Sequence, residues 1–279
     1  MTMRWPNFLL PAVAVLCAAA FFASTQHLKT APRQTVDVEM QVALPRFVQV
    51  FMTAGDRYLA ANVAAIRALV VSTEKMKAED YAILAKVQND VSWFNPAHED
   101  NYYIAAAILP WAGQLDAAQT ILYRASQSRP FDYQPAFYYA FHLFHFKGDA
   151  VGASAVLRAA AEKLPEGNDR LQMQNLAAIW LDRAQDIDVS IRVVAAMAQQ
   201  SKRRDFQKYL EQRVVRLQNL KTLRAAAEKF TLRTGRPPAA PEELVQMGLI
   251  PELPADPFGF GFAVAKDGQI VLLNAPSRR

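Results

Sequence analysis

Residues 113–130, GQLDAAQTILYRASQSRP, recur thirty-five positions later as residues 148–165, GDAVGASAVLRAAAEKLP. Gly113, Ala118, Leu122, Ala125 and Pro130 fall on Gly148, Ala153, Leu157, Ala160 and Pro165 at one constant offset. A fixed period of this size is the signature of stacked helical pairs, none of which can bury its apolar face alone. The spacing predicts a first pair of helices over 101–111 and 115–126, and a second over 134–146 and 151–164. Gly113-Gln114 and Lys147-Gly148-Asp149 lie at the two turns.

Helical patterning extends outward in both directions. Upstream, Phe47, Val50, Phe51, Tyr58, Val63 and Ile66 suggest one or two helices broken at Gly55-Asp56. A further helix, Ala78 to Phe94, ends before Asn95-Pro96, a turn pair that stops helices. Downstream, Leu171 to Ala184 and Val189 to Gln200 have helical composition but lack the Gly and Pro markers. Terminal units of such arrays are commonly atypical, because one face meets no neighbour. From Arg203 to Thr234 one long helix is expected, ended by Gly235 and the pair Pro237-Pro238. A short helix then opens at Pro241, and Phe258–Ala265 with Gln269–Leu273 form a hairpin around Lys266-Asp267-Gly268.

The two matching units resemble the tetratricopeptide repeat family. The resemblance implies that Gly113 and Gly148 sit between paired helices. Ala118, Ala125, Ala153 and Ala160 would pack helix against helix, with Pro130 and Pro165 closing each unit. The period is one residue longer than the usual 34, and the first helices are bulkier than the family pattern. The resemblance also implies that the first helices line a concave face for a protein partner. The segment from Trp93 to Phe146 is dense in aromatic residues, natural anchors for a peptide or helix. Tyr102, Trp111, Tyr138 and His142 are the expected groove residues, with packing in the core as the competing reading for each.

The amino terminus carries the targeting information. Phe8 to Ala23 is an uncharged apolar run, preceded by Arg4 and followed by Ser24-Thr25-Gln26. Its length favours an uncleaved signal-anchor over a cleaved signal peptide, for which Ala18-Ala19-Ala20 offers a small-residue site, or a core helix. Arg4 on one side and Lys29 and Arg33 on the other nearly balance the positive-inside count. The short tail ahead of the run favours an inner-membrane, single-pass protein with its body in the periplasm. The one cysteine, Cys17, lies in this run and permits no intramolecular disulfide.

Charge is unevenly spread over the 279 residues. The segment Lys202–Arg236 holds eleven Lys or Arg against three acids, a local net of +8, which leaves the remainder at −3. A solvated basic face is the expected reading, ahead of acidic lipid or an acidic partner, with nucleic acid last because a membrane anchor would separate the body from it. Overlapping this segment, Leu220, Leu223, Ala227, Phe230, Gly235-Arg236-Pro237, Glu243-Leu244-Val245, Gly248, Leu253-Pro254, Asp256-Pro257 and Gly259 form an ordered series. It resembles the segment that joins the long helix to the sheet in major pseudopilins of type II secretion systems. This chain lacks their prepilin-peptidase site and sets the motif behind a repeat region. The resemblance therefore implies a folding module first and docking onto a pilus-like assembly second.

Little in the sequence points to chemistry. His142 and His145 are three apart on a predicted helix and could hold a metal only if other ligands converged. His98-Glu99-Asp100 precedes a helix start, where acids complement the dipole. No phosphate loop, nucleophile elbow, paired cysteines or metalloprotease helix occurs. No enzyme activity, metal or cofactor is expected.

The expected organisation is an anchor over 1–25, a tether over 26–46, tetratricopeptide-like helical repeats over 47–201, and a long basic helix with a pseudopilin-like α/β cap over 202–279. The fold class is mostly α: a helical-repeat solenoid with an N-terminal transmembrane helix and a small C-terminal helix-plus-β-hairpin module. The expected function is a membrane-anchored scaffold that binds a protein partner during assembly of an envelope complex. The alternative is a permanent structural subunit of a membrane, secretion or pilus-like machine.

Overall fold

The computed structural model describes residues 9–30, 42–70 and 76–273. The chain divides into two units, Met1–Glu39 and Met40–Arg279. The first contains one helix, α1 (Leu9–Thr30). It overruns the expected anchor and enters the expected tether, since after Pro11 in its first turn no Gly or Pro follows before Pro32, and the Thr25 hydroxyl donates back to the Phe22 carbonyl (2.8 Å). Among the described residues, no helix is long and apolar enough to cross a membrane. The expected transmembrane helix is therefore unsupported. The rest of the expected tether, 31–41, lies outside the described residues.

The second unit is mostly helical, with a small two-stranded antiparallel sheet. Its helices are α2 (Arg46–Met52), α3 (Arg57–Leu69), α4 (Ala78–Phe94), α5 (Glu99–Ile108), α6 (Leu115–Ser128), α7 (Gln134–Phe146) and α8 (Ala150–Lys163). α9 (Asn168–Trp180), a 3-10 turn (Leu181–Arg183), α10 (Ile187–Gln200), α11 (Arg204–Thr234) and α12 (Glu242–Gln246) follow. The chain then forms the hairpin of β1 (Phe262–Val264) and β2 (Ile270–Leu272), in which Phe262 faces Leu272 and Val264 faces Ile270.

Local chemistry sets the ends of these helices. Asp56 opens α3 by accepting from the amides of Tyr58 (2.8 Å) and Leu59 (3.1 Å), and Asp186 opens α10 in the same way. Gly235 ends α11 in the left-handed conformation, its amide bonded to the Thr231 carbonyl. Gly113 and Gly148, the repeated glycines, have φ of +77° and +66°, a backbone that residues with a Cβ adopt only at a cost. Open space surrounds both, so the requirement there is conformational and not steric.

Consecutive helices pack against each other through α5, α6, α7 and α8, making two successive antiparallel pairs over the repeated segment. Alanine lines the seams. Ala105, Ala118, Ala125, Ala140, Ala153 and Ala161 are fully buried, with Leu122 and Leu157 between them. Of the expected packing residues, Ala118, Ala125 and Ala153 are buried and Ala160 is half-buried, while Pro130 and Pro165 are exposed beyond the helix ends. One core cluster runs from Ala140 to Leu217 and a second gathers Leu220, Leu223, Phe230, Leu244, Ile250 and Ile270. Helix α11 contributes to both. It packs along α10.

The basic α11 is not simply a solvated face. Arg213 and Arg216 are buried and converge on Asp182, in the 3-10 turn after α9. Arg216 also bonds Asp256 (3.0 Å) and the Leu273 carbonyl. The Asp256 carboxylate accepts from the amides of Phe258 (3.1 Å), Phe260 (3.1 Å) and Gly261 (2.8 Å), folding the Asp-Pro-Phe-Gly turn around itself. Burial pushes the Asp182 carboxyl up against the opposing pull of Arg213 and Arg216. These four charges join the repeated helices, α11 and the C-terminal turn.

Two predictions follow from the fold, both read as unfolding free energy by urea titration and circular dichroism. Gly113→Ala and Gly148→Ala each lower it by about 1 kcal/mol, with Asn at either position less costly. Asp256→Ala removes one of the two carboxylates facing Arg216 and the acceptor of the Phe258, Phe260 and Gly261 amides, and lowers it by about 3 kcal/mol. Lys221→Ala, which breaks only the exposed pair with Asp188, costs under about 1 kcal/mol.

Candidate partner-binding surface

Helices α5 and α7 are the first members of the two repeated pairs, and side-chain contacts link α5 to α7 and α7 to α9. The Tyr102 hydroxyl donates to Asp132 (2.8 Å), just ahead of α7, and His142 Nε2 meets the Ala106 carbonyl (3.2 Å). On the far side of α7, Phe144 stacks on Trp180 with ring centroids 4.7 Å apart. The junction between the first two pairs is polar. Arg129 bonds Asp132 and Glu99, both at 2.9 Å, and reaches the Ala97 carbonyl. Glu99 and Asp100 occupy the first turn of α5, where the sequence places acids against the helix dipole.

The rings left outside these contacts form a strip in two groups, Tyr103 with Tyr138, and Trp111 with Phe141, His145 and Phe146. Tyr103 meets Tyr138 edge-on (5.5 Å), Phe141 stacks on His145 (5.2 Å), and Trp111 packs against His145 (5.4 Å) and Phe146 (4.9 Å). Trp111 is 66% exposed, the most open of the four expected groove residues. Tyr138 is half-buried; burial, with Tyr103 beside it, pushes its hydroxyl up to about 12. It stays neutral across the physiological range, an apolar body with a polar tip.

Tyr102 and His142 belong to the core instead. Each is 1% exposed, so neither is open to a groove as expected from the sequence. The reason is rotational: on α5 the inward face carries Tyr102, Ala105 and Ala106, which turns Tyr103 outward. On α7, His145 is exposed, while Phe141 is half-buried and packs against the core cluster. Sequence reading passed over Tyr103, Phe141 and His145 because helices this rich in rings show little contrast between faces. Among the described residues, no group of three or more His, Cys, Asp or Glu could hold a metal ion.

Other cavities lie elsewhere. One of about 240 Å³ sits between α6, α7 and α8, walled by Tyr123, Tyr139, Val156 and Lys163, on the side of α7 away from the ring strip. A broader cleft of about 810 Å³ runs beside α11, where Arg224 gives Nε to the Ile270 carbonyl (3.0 Å). Burial lowers the Arg224 pKa, but Lys221 and Glu228 share the same wall, so the cleft offers no single sign of charge to a ligand.

Compared with known proteins, the chain matches no family model, no curated protein and no solved structure.

His142 gives the core a pH dependence. Burial lowers its pKa from 6.5 to about 4, outweighing the hydrogen bond to Ala106, so it is neutral when folded near pH 7. Between about pH 6.5 and 4 the unfolded chain binds the proton more readily than the folded one, and stability falls as pH falls. His142→Gln should flatten the difference between stabilities measured at pH 7 and pH 5 by urea titration. An unchanged slope in the variant would show that other groups set that dependence.

Proposed function

We propose that this protein is a scaffold of tetratricopeptide-like helical pairs, tethered at a lipid surface, that holds a protein partner against the rings of α5 and α7. The observation that carries the proposal is the strip from Tyr103 and Tyr138 to Phe141, His145 and Trp111. These side chains contact one another in two groups; Tyr103, His145 and Trp111 are exposed, while Tyr138 and Phe141 are half-buried. Rings fixed by their neighbours lose little freedom on binding and bury a large apolar area, which makes them frequent hot spots. The fitting partner presents an apolar helix or extended peptide, and the mechanism is recognition without a chemical step. In this reading the C-terminal module closes the array, and α1 supplies the tether. Val13, Val15, Leu16, Phe21 and Phe22 on α1 are all exposed, and the helix has no acidic residue in its first turn. The setting proposed is the periplasmic side of an inner membrane, in assembly of an envelope complex.

The test is affinity purification of the tagged full chain from detergent-solubilised membranes. Wild type is compared with the double variant Trp111→Ala/Phe141→Ala and with Leu232→Ala, at an exposed position on α11. At least one co-purifying protein should fall about tenfold with the double variant and stay level with the control. Equal recovery of every protein with all three chains overturns the proposal.

A further inference from the structure

Helices α2 and α3, at the N-terminal end of the second unit, are built inside out. The buried residues of α3 are all alanine: Ala60, Ala61, Ala64, Ala65 and Ala68. Its large apolar side chains point the other way. Leu59, Val63, Ile66 and Val70 are exposed and follow one another at spacings of four, three and four, the pattern of a helix-pairing seam. Phe47 and Phe51 are exposed on the adjoining α2, whose Arg46 and Gln49 turn inward to Asp90 on α4.

An array of helical pairs needs a polar outer face at each end to remain soluble alone. The C-terminal end of this unit is covered, since α11 carries α12 and the hairpin over its apolar stripe. The opposite end presents six large side chains between about half and four fifths exposed, with no charge among them. Together they offer on the order of 800 Å² of apolar surface, about what one partner contributes to a standard stable interface.

We infer that two copies of this chain meet here, α3 of one protomer lying along α3 of the other about a two-fold axis near Val63 and Ile66. An uncharged stripe needs no complementary charge from a different protein, and a helical seam is self-complementary under two-fold symmetry. Pairing completes the outer face that the end of the array lacks. It is independent of the ring strip, which lies on α5 and α7, and it presents two such strips on one assembly.

The single cysteine allows a direct test on the full chain in detergent micelles. In a Cys17→Ser background, Ile66→Cys should give a covalent dimer on mild oxidation, because residues at a two-fold axis approach their own copies within disulfide reach. Leu232→Cys, exposed on α11, should stay monomeric and controls for crowding in the micelle. Val63→Glu, tested by mass photometry, should weaken the dimer at least about 100-fold by burying two like charges. Val63 is 54% exposed in one protomer, so the helical circular dichroism of that variant should be retained. A monomeric wild type with no Ile66→Cys dimer overturns the inference, as does equal cross-linking through Leu232→Cys.

Discussion

Close approach of helices through alanine is the constraint from which the rest of this structure follows. Every buried residue of α3 is alanine, and Ala105 and Ala106 on α5 and Ala136 and Ala140 on α7 are buried too. A methyl group takes little space, so such helices can sit near the short end of the usual 8–10 Å separation. A seam that tight has room for few large side chains, and Tyr102, Leu122 and Leu157 are among those it takes. The bulky residues of these helices are accordingly displaced to the flanks, where Tyr103, Tyr138, Phe141, Val63 and Ile66 are found. The exposed apolar surfaces are thus the other side of the packing rule that forms the core.

Alanine seams give little lateral definition, because small side chains interlock weakly and bury less apolar area than leucine would. Polar links between distant parts of the chain supply that definition. Arg46 and Gln49 reach Asp90, Arg124 reaches Asn89 and Ser92, and Tyr102 and Arg129 share Asp132. Arg213 and Arg216 hold Asp182, and Arg216 also holds Asp256. Each depends on a narrow range of geometry, so a shift along any seam would leave a charge buried without its partner. Net stabilisation from such groups is modest, but the penalty for misalignment is large.

Much of the helical plan is legible in the sequence, since punctuation is local. Asn95-Pro96 ends α4, Gly113 and Gly148 mark turns with positive φ, Gly235 ends α11, and Asp267-Gly268 turns the hairpin. Rotation about the helix axis is less legible. On α5 two adjacent tyrosines differ in fate, Tyr102 inward and Tyr103 outward, and on α3 the usual rule of large residues inside is reversed. The burial of Arg213 and Arg216 could not be read from α11, because their carboxylates lie some thirty to forty positions away and spacing along one helix carries no trace of them. A signal did exist at the C-terminal turn: Asp256 before Pro257 and Gly259 marks a carboxylate ringed by backbone amides, but its guanidinium partner is not announced.

The two ends of the helical unit bring these points together. At the C-terminal end, Leu220, Phe230, Leu244, Ile250 and Ile270 are buried against one another, so the apolar stripe of α11 contributes to the stability of its own chain. At the N-terminal end, Leu59, Val63, Ile66 and Val70 remain open to water. A polar residue at any of those four positions would leave the alanine seam beneath untouched and make the protomer more soluble. Exposed apolar side chains contribute almost nothing to folding and favour association. Their arrangement as a seam, uncovered among the described residues, fits the inferred contact between protomers. The same reasoning applies to Trp111, which packs on His145 and Phe146 by one edge and leaves most of its surface to whatever approaches α5 and α7.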